Sequence, residues 1–501
     1  MKLRRLLAAA AAMCIALPAV VSGYSAATDV RRIKGDVNGD MVFNLADMIM
    51  LQRWLKGSGE LTVAPNADIN EDEVCDVFDL SAMRKLLINC MNEAPVPSFK
   101  PKSQNLCAGI AASSVTGKSA DEGFINSQYD LTLKLFKKTY AEEETPTNTL
   151  ISPYSIVQAL GMTANGAAGD TRTEMENVLG GGMKIEDLNS YLLTQRLNSV
   201  NDKRNEYTNK WSMNTANSIW ARNDKLRINP RPEFIQNCVD FYDSEFYVAP
   251  FDETTLDDVN GWVNEKTNEM IPTILSEIDP FDVMYLVNAV AFEAEWDEPY
   301  EKHQIKDGKF TNAAGDVQDA SMLCSHEKYI FDENTNGMIK YYSGGRYAFA
   351  ALLPDEGTTV DEYIEKLTPE KLSGIIASGK SNMIMANVKL PKFSYEYNNE
   401  LSDELKAIGM PTAFSNSADF TNMSSVADIH PLHIGIVIHK TFIDLDENGT
   451  KAAAATLVAM RDNGIPMYED VKDVTFDRPF VYCIIDTETS LPVFIGALNS
   501  L

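Results

Sequence analysis

Residues 446–470 read DENGTKAAAATLVAMRDNGIPMYED, in which an Asn-Gly turn is followed by four consecutive alanines and then a charged stretch. On intrinsic propensity, residues 451–460 favour a helix, because Ala, Lys, Leu and Met are good helix formers. Counted with a period of two, however, one face carries only small or β-branched side chains, namely those of Thr450, Ala452, Ala454, Thr456 and Val458. Such a face suits a strand that enters a narrow space. Periodicity alone does not decide between helix and strand.

The first 27 residues have the pattern of a secretory signal peptide. A basic start at Lys2, Arg4 and Arg5 precedes an apolar run over 6–21, which ends in small residues. We expect the mature chain to begin near Thr28 and the protein to be secreted. No later apolar run approaches the roughly 20 residues that a membrane helix requires, so the sequence predicts no membrane span.

The chain is strongly acidic, with 44 Lys and Arg against 72 Asp and Glu among 501 residues and a net charge of -28. Such a charge disfavours nucleic acid or an anionic membrane as a partner. Six cysteines follow the signal peptide: Cys75, Cys90, Cys107, Cys238, Cys324 and Cys483. They show no CxxC or framework spacing, so a disulfide scaffold is not favoured, although a single pair stays open.

A break in composition divides the chain. Residues 92–122 are rich in Pro, Ser, Ala and Gly and predict a linker. Before it, a small repeat occupies residues 32–91. After it, residues 123–501 mix helical and strand patterns that cluster rather than alternate strictly, which predicts an α+β domain.

Two acidic loops in residues 32–91 share the same spacing of oxygen-bearing side chains. Positions 1, 3, 5, 9 and 12 of each loop carry such side chains, and position 7 offers a backbone carbonyl. The first set is Asp36, Asn38, Asp40, Val42, Asn44 and Asp47, and the second is Asp68, Asn70, Asp72, Val74, Asp76 and Asp79. Because Ca²⁺ takes six to eight oxygen ligands, each loop predicts one site, so we expect two ions.

Paired loop-helix units of this kind resemble the dockerin module over residues 35–87. The resemblance implies a small all-α calcium-binding module that binds a cohesin on a cell-surface or cellulosomal scaffold. It also implies four recognition residues, which are Leu45, Ala46, Val77 and Phe78. They are apolar, unlike the Ser-Thr pair of the best-known dockerins, so we expect a different cohesin class. Met41 and Glu73 stand where glycine usually relieves a left-handed turn, which predicts weakened calcium sites.

A series of motifs runs in order through the rest of the chain. They are NTLISPYSI (148–156), NGAAGDTRTEM (165–175), VNEKTN (263–268), LVNAVAFEAEW (286–296), LPDEG (353–357), LPKF (390–393), SNSAD (415–419) and FDRPF (476–480). Together they resemble the serpin family over about 123–501. The resemblance implies an α+β fold with a large central sheet, several helices and an exposed reactive loop. It also implies a monomeric protease inhibitor rather than an enzyme.

The serpin resemblance gives the opening stretch a role. In that family a reactive loop, once cut by a protease, inserts as a new strand of the central sheet and carries the acylated protease with it. The side chains on the inward face of the inserted strand must be small enough to pass between the existing strands. The hinge of this loop then consists of Glu447, Gly449, Thr450, Ala452, Ala453, Ala454, Ala455 and Thr456. Lys451 departs from the commoner Glu, but a period of two places it outward, so we expect little harm.

Two ways of counting place the scissile bond differently. The family's usual distance from Gly449 puts it at Asn463-Gly464, whereas counting back from Phe476 puts it near Met467-Tyr468, in a stretch that resembles the elastase-sensitive loop of antitrypsin. We favour Asn463-Gly464, because the length before the cut determines how far the protease is carried. Arg461 is a further candidate for trypsin-like enzymes.

Two interpretations are open for a set of polar residues, Ser152, Ser155, Asn288 and His439. Serine and histidine could serve an esterase as nucleophile and base. No G-x-S-x-G elbow is present, however, and Ser152-Pro153 favours a helix start. The serpin resemblance instead places the four in the shutter, a hydrogen-bonded cluster beneath the central sheet. It places Trp296 in the breach, where the loop first enters.

Three functions follow from these patterns. The favoured one is a secreted suicide inhibitor of serine proteases, subtilisin-like or elastase-like, anchored through its dockerin to a cohesin-bearing scaffold. A non-inhibitory serpin acting as a scaffold-bound binding module is the alternative, although the small hinge residues argue against it. An enzyme subunit delivered by the dockerin is disfavoured, because no paired carboxylates or triad are present.

Overall fold

The computed structural model describes residues 34–35, 37–38, 45–59, 61–63, 66–69, 75–76, 79–80, 82–84, 99–143, 147–200, 210–279, 282–450 and 471–501. The chain divides into two compact units, Met1–Ser98 and Phe99–Leu501. In the first unit, helix α1 spans Leu45–Leu55. Its described core consists of Val37, Leu51, Ala67, Ile69 and Met83.

The second unit combines helices with two large sheets. Its described α-helices are α2 (Glu122–Glu142), α3 (Pro153–Ala164), α4 (Gly169–Gly180), α5 (Ile185–Asn198), α6 (Pro232–Asn237), α7 (Glu253–Lys266), α8 (Val360–Lys366), α9 (Pro369–Ser381) and α10 (Ser402–Ala407). A π-helical turn, Cys238–Tyr242, continues α6. Local sequence explains several starts: the Asp121 side chain caps α2, and Ser152 caps α3 with Pro153 in its first turn.

The strands in chain order are β1 (Gln104–Asn105), β2 (Thr149–Ile151), β3 (Trp211–Arg222), β4 (Glu245–Ala249), β5 (Met284–Glu295), β6 (Ile305–Thr311), β7 (Val317–Asp332), β8 (Thr335–Tyr341), β9 (Tyr347–Pro354), β10 (Met385–Pro391), β11 (Phe393–Glu400), β12 (Ile436–Leu445), β13 (Gly449–Thr450), β14 (Val471–Thr475), β15 (Phe480–Asp486) and β16 (Pro492–Leu498). The central sheet has the order β1-β4-β3-β5-β13-β12-β11. The second sheet has the order β14-β10-β7-β8-β9-β15-β16-β2, with β6 paired to β7.

The middle of the central sheet contains the feature that matters for function. Strands β5 and β12 pair in parallel, with residues 285–290 opposite residues 436–441. Further along, β13 lies between them and runs antiparallel to both, with Gly449 opposite Glu295, and Thr450 opposite both Ala294 and Leu445. The sheet is therefore closed at one end of this strand pair and opened by β13 at the other.

Residues 99–121, called the strap below, pack as part of the second unit rather than as a linker. Strand β1 pairs antiparallel with β4, and the Leu106 N–H donates to the Phe246 carbonyl at 2.7 Å. The Asp258 carboxylate accepts the N–H groups of Lys102 and Ser103 at 3.0 and 2.7 Å. The predicted linker 92–122 thus does not hold from Phe99 onward. Main-chain pairing along the exposed edge of β4 satisfies backbone groups whatever the side chains are, so composition did not indicate it.

Candidate functional site

The hinge begins with a tight turn before β13. The Asp446 carboxylate accepts the N–H groups of Asn448 and Gly449 at 2.7 and 3.2 Å, which is an Asx turn. Gly449 has a positive φ, and a Cβ added there would collide with the carbonyl oxygen of Ala294 on β5. Only glycine allows the chain to enter the sheet so close to its neighbour.

Thr450 is the last described residue before the alanines. Its backbone pairs within the central sheet, and its side chain is buried. It is 1% exposed, and its Oγ1 lies 2.6 Å from the Tyr342 hydroxyl. Trp296 stacks on Tyr342 with ring centroids 4.4 Å apart. The Trp296 Nε1–H donates to the Asp446 carbonyl at 2.9 Å, and its backbone N–H donates to the Asn448 carbonyl at 2.8 Å. Trp296 therefore contacts the turn through which the hinge enters, where the breach is predicted.

Glu447 holds the other side of this turn. Its carboxylate pairs with Lys392, and its carbonyl accepts the Tyr300 N–H at 2.8 Å. The Lys392 ammonium lowers the pKa of Glu447. Sequence reasoning missed Lys392 and Tyr342 as hinge contacts, although Lys392 stands in the LPKF motif. Both residues lie far from the hinge in the sequence, so local patterns did not indicate these contacts.

A buried cation lies beneath the same region. The Lys340 ammonium pairs with Glu327 at 2.7 Å, and the two side chains are only 6% and 13% exposed. It also faces the rings of Tyr300, at 4.6 Å, and Trp296, at 5.7 Å. Because Glu327 is already paired with Lys340, a second positive charge entering here would have no free carboxylate in this ion pair.

The four predicted shutter residues meet at one level of the central sheet. Asn288 on β5 is the register partner of His439 on β12 and of Asn217 on β3. The Asn288 Nδ2 group donates to the Ser155 carbonyl at 2.9 Å and to Asn217 Oδ1 at 2.6 Å. Ser152 Oγ donates to the Val493 carbonyl at 2.8 Å. Sequence reasoning missed Asn217, because only strand register aligns it with Asn288.

His439 links both strands to α3. Its Nε2 accepts the Ser152 backbone N–H at 3.0 Å, so its proton is on Nδ1, which donates to Asn288 Oδ1 at 2.7 Å. Burial lowers the pKa of His439 to about 3, so the ring is neutral at physiological pH. Because its basic nitrogen accepts a backbone N–H rather than a serine hydroxyl, the arrangement does not support the esterase interpretation.

The first unit repeats one hydrogen-bonding arrangement in its two acidic loops. Asp47 and Asp79, the twelfth positions, are fully buried. Asp47 Oδ1 accepts the N–H groups of Val37 and Asn38 at 3.0 and 3.1 Å. Asp79 Oδ1 accepts the Ile69 N–H at 2.7 Å, and its Oδ2 accepts the Asp76 N–H at 2.8 Å. Each loop is thus drawn back onto the carboxylate that ends it.

Only part of each predicted ligand set is described. Asn38, Asp47, Asp68, Asp76 and Asp79 are included, and within the described ranges no three acidic, His or Cys side chains form a metal-binding group. The following predicted ligands lie outside the described residues: Asp36, Asp40, Val42, Asn44, Asn70, Asp72 and Val74. The oxygen-only donor set, with a buried carboxylate closing each loop, fits Ca²⁺.

Other predicted site residues also fall outside the described part of the chain. They are Ala452, Ala453, Ala454, Ala455, Thr456, Arg461, Asn463, Gly464, Met467, Tyr468, Val77 and Phe78. Of the predicted cohesin contacts, Leu45 and Ala46 lie in the first turn of α1. Two large apolar side chains on the same helix, Ile49 and Trp54, are exposed.

Comparison with known proteins identifies the class. Residues 126–501 match the family described as serpin (serine protease inhibitor), and residues 34–88 match the dockerin type I domain. The chain belongs to the serpin family and carries a dockerin type I domain at its N-terminal side. Serpins are protease inhibitors rather than enzymes, although some members are non-inhibitory, and dockerin type I domains bind calcium and cohesins. Among the described helices, none is both long and apolar enough to cross a membrane.

Individual relatives agree with this assignment. The chain is 30% identical to the leukocyte elastase inhibitor of Bos taurus over 376 residues, which cover 72% of this chain and 95% of that protein. It is similar to the thermophilic serpin tengpin in its native state, with 42% identity, a TM-score of 0.72 and coverage of 80% and 100%. For tengpin in its latent state the identity is 40%, the TM-score 0.65 and the coverage 77% and 100%. The fold is therefore more similar to the native form of tengpin than to the latent form.

Proposed function

We propose that the protein is a secreted suicide inhibitor of serine proteases, anchored through its dockerin to a cohesin-bearing scaffold. The observation that best supports inhibition is β13, which already lies between β5 and β12 with its side chain at Thr450 buried. The residues that follow, 451–458, carry small or β-branched side chains at every second position. The chain thus has a short strand at the entry point of the sheet and a following segment whose side chains suit an extension of that strand.

The inhibitory reaction begins as an ordinary proteolytic cleavage. The serine of the protease attacks the carbonyl carbon of Asn463, and the peptide bond to Gly464 breaks. The serine proton passes to the departing amine of Gly464, and an ester joins the protease to the inhibitor. The cut frees the hinge segment to extend β13 as a strand between β5 and β12. The protease is then moved and distorted before water hydrolyses the ester.

Insertion has a defined cost in the shutter. Extending β13 requires β5 and β12 to separate where residues 285–290 now pair with 436–441. The hydrogen bond between His439 and Asn288 crosses this boundary and must break. The new strand provides main-chain partners on both sides, antiparallel as β13 already is. Two antiparallel ladders replace one parallel ladder, which favours insertion.

The dockerin supplies the location. Its Ca²⁺ ions, one in each loop, would be held by the oxygens of Asp36, Asn38, Asp40, Val42, Asn44 and Asp47 and of Asp68, Asn70, Asp72, Val74, Asp76 and Asp79. These ions neutralise clustered carboxylates and order both loops ahead of their helices. The helices then present the apolar surface to a cohesin. The inhibitor would thereby be concentrated where an extracellular enzyme complex is exposed to proteases.

Incubation of the purified protein with subtilisin-like, elastase-like and trypsin-like proteases, followed by a denaturing gel, tests the proposal. We expect a covalent complex with at least one serine protease, at the summed mass of the protease and the cleaved inhibitor. Cleavage of the loop without any complex would instead favour the non-inhibitory binding module. Binding of the intact chain to a panel of cohesins tests the anchoring separately.

A further inference from the structure

The strap contains one free cysteine and is held against the turn that contains another. Cys107 lies in the strap and Cys238 in the turn that continues α6, and both side chains are buried, with exposures of 9% and 1%. Their sequence separation gave no indication of this. Proximity depends on how the strap crosses the body of the second unit.

Hydrogen bonds fix the strap on both sides of Cys107. Before it, the Leu106 N–H donates to the Phe246 carbonyl at 2.7 Å. After it, Gln236 Nε2 donates to the Ala111 carbonyl at 3.1 Å, and Asp240 accepts the Ser113 N–H at 2.7 Å. Gln236 and Asp240 flank Cys238 by two residues on either side.

The element that holds Leu106 also returns to Cys238. The Ser244 N–H, just before β4, donates to the Cys238 carbonyl at 3.2 Å. Cys107 is thus bracketed by contacts to the chain directly before and after Cys238. The two thiols also interact electrostatically: burial, and next the charge of a Cys107 thiolate, raise the pKa of Cys238 well above its usual value. That effect agrees with the hydrogen bonds that hold the strap against this turn.

We propose that Cys107 and Cys238 form a disulfide under oxidising conditions and that this bond fastens the strap to the α6 turn. With a small-molecule disulfide as oxidant, one cysteine thiolate attacks it and releases the first thiol. The other cysteine then attacks the mixed disulfide and releases the second. The protein loses two electrons, both of which reduce the oxidant, and the two thiol protons end on the released thiols.

Burial makes this reaction depend on strap opening. Burial raises the pKa of Cys107 to about 11 and keeps the thiol protonated. The thiolate that attacks the oxidant therefore forms when the strap lifts. Oxidation should be slow in the folded protein and should accelerate under mild denaturant that loosens the strap. Once formed, the bond closes a loop from residue 107 to residue 238, which restricts the unfolded chain.

Peptide mapping of the full chain after oxidised glutathione treatment tests the pairing. We expect the tryptic peptides 103–118 and 228–266 to be joined, and to separate after reduction. The apparent midpoint of thermal unfolding, at a fixed heating rate, should rise by about 5 °C on oxidation. Alkylation of both cysteines after unfolding of the oxidised protein, or a link from Cys107 to another cysteine, overturns the proposal.

Matched variants separate this bond from general oxidation. Cys107→Ser and Cys238→Ser should each abolish the linked peptides and the rise in midpoint, and Cys107→Ala replaces the first if it folds poorly. Cys324→Ser removes a partly exposed thiol on β7 and should keep both effects. A rise in midpoint that persists in Cys107→Ser shows that the strap is not fastened in this way.

Discussion

Replacement of Thr450 by Arg should convert the inhibitor into a substrate. Thr450 is 1% exposed and its hydroxyl contacts Tyr342, so an arginine there would place its charge in a site closed to solvent. The nearby Glu327 carboxylate is already paired with Lys340, whose ammonium lies 5.7 Å from the Trp296 ring centroid, so it is not free to pair with the arginine. An unpaired buried charge costs several kcal/mol, and a barrier raised by about 3 kcal/mol slows insertion about 100-fold.

Slower insertion shifts the competition toward hydrolysis of the ester. Titration of a fixed amount of protease with increasing inhibitor should show many Thr450→Arg molecules cleaved per molecule of protease trapped. Thr450→Ser, which keeps the hydroxyl for Tyr342, should behave nearly as the parent. Because β13 is only two residues long, the arginine variant can withdraw it from the sheet at the cost of that short pairing, so it should still fold and bind cohesin. Covalent complexes formed as efficiently as by the parent would refute the assignment of the hinge.

Three further measurements address other parts of the chain. Chelation of calcium should reduce the far-UV signal of the dockerin and abolish cohesin binding, because the clustered carboxylates then repel one another. The double variant Asp36→Ala with Asp68→Ala should have the same effect. Cohesin binding that persists in excess chelator contradicts the calcium assignment. Burial lowers the pKa of His439 to about 3, so between about pH 6.5 and pH 3 only the unfolded chain takes up this proton. The free energy of unfolding that is present above pH 6.5 should therefore fall as the pH is lowered, by about 1.4 kcal/mol per pH unit from this group. Urea midpoints across this range should show a shallower slope for His439→Gln, and an unchanged slope would count against the neutral shutter histidine. Mass spectrometry of the fragment released from a covalent complex should find a chain beginning at Gly464, whereas one beginning at Tyr468 supports the other count.

Local patterns in the sequence predicted local structure well. Ser152-Pro153 predicted a helix start, and Ser152 caps α3. The family matches confirm the expected serpin and dockerin assignments. Sequence alone could predict them because each motif consists of residues close together in the chain. The spacing of oxygen side chains is likewise local, since the ligands predicted for one ion all belong to one loop.

The predicted linker is a case in which local patterns did not predict the structure. Its Pro, Ser and Gly content indicated a spacer, yet from Phe99 onward the chain pairs with β4 and with Asp258. Main-chain hydrogen bonds need no particular side chain, so composition carries little information about them. Polar backbone on a sheet edge and polar backbone in solvent look alike in sequence.

By itself, the sequence determined the class of protein, the order of its domains, the spacing of the predicted calcium ligands and the alternation of small side chains after Gly449. Each of these depends on residues within one segment. The tertiary structure alone decided that β13 occupies the gap between β5 and β12, that Lys392 pairs with Glu447, and that Asn217 aligns with Asn288. It also placed the strap that contains Cys107 against the turn that contains Cys238. The physical reason is that these contacts join distant segments, so strand register and packing, rather than local propensity, determine which side chains meet.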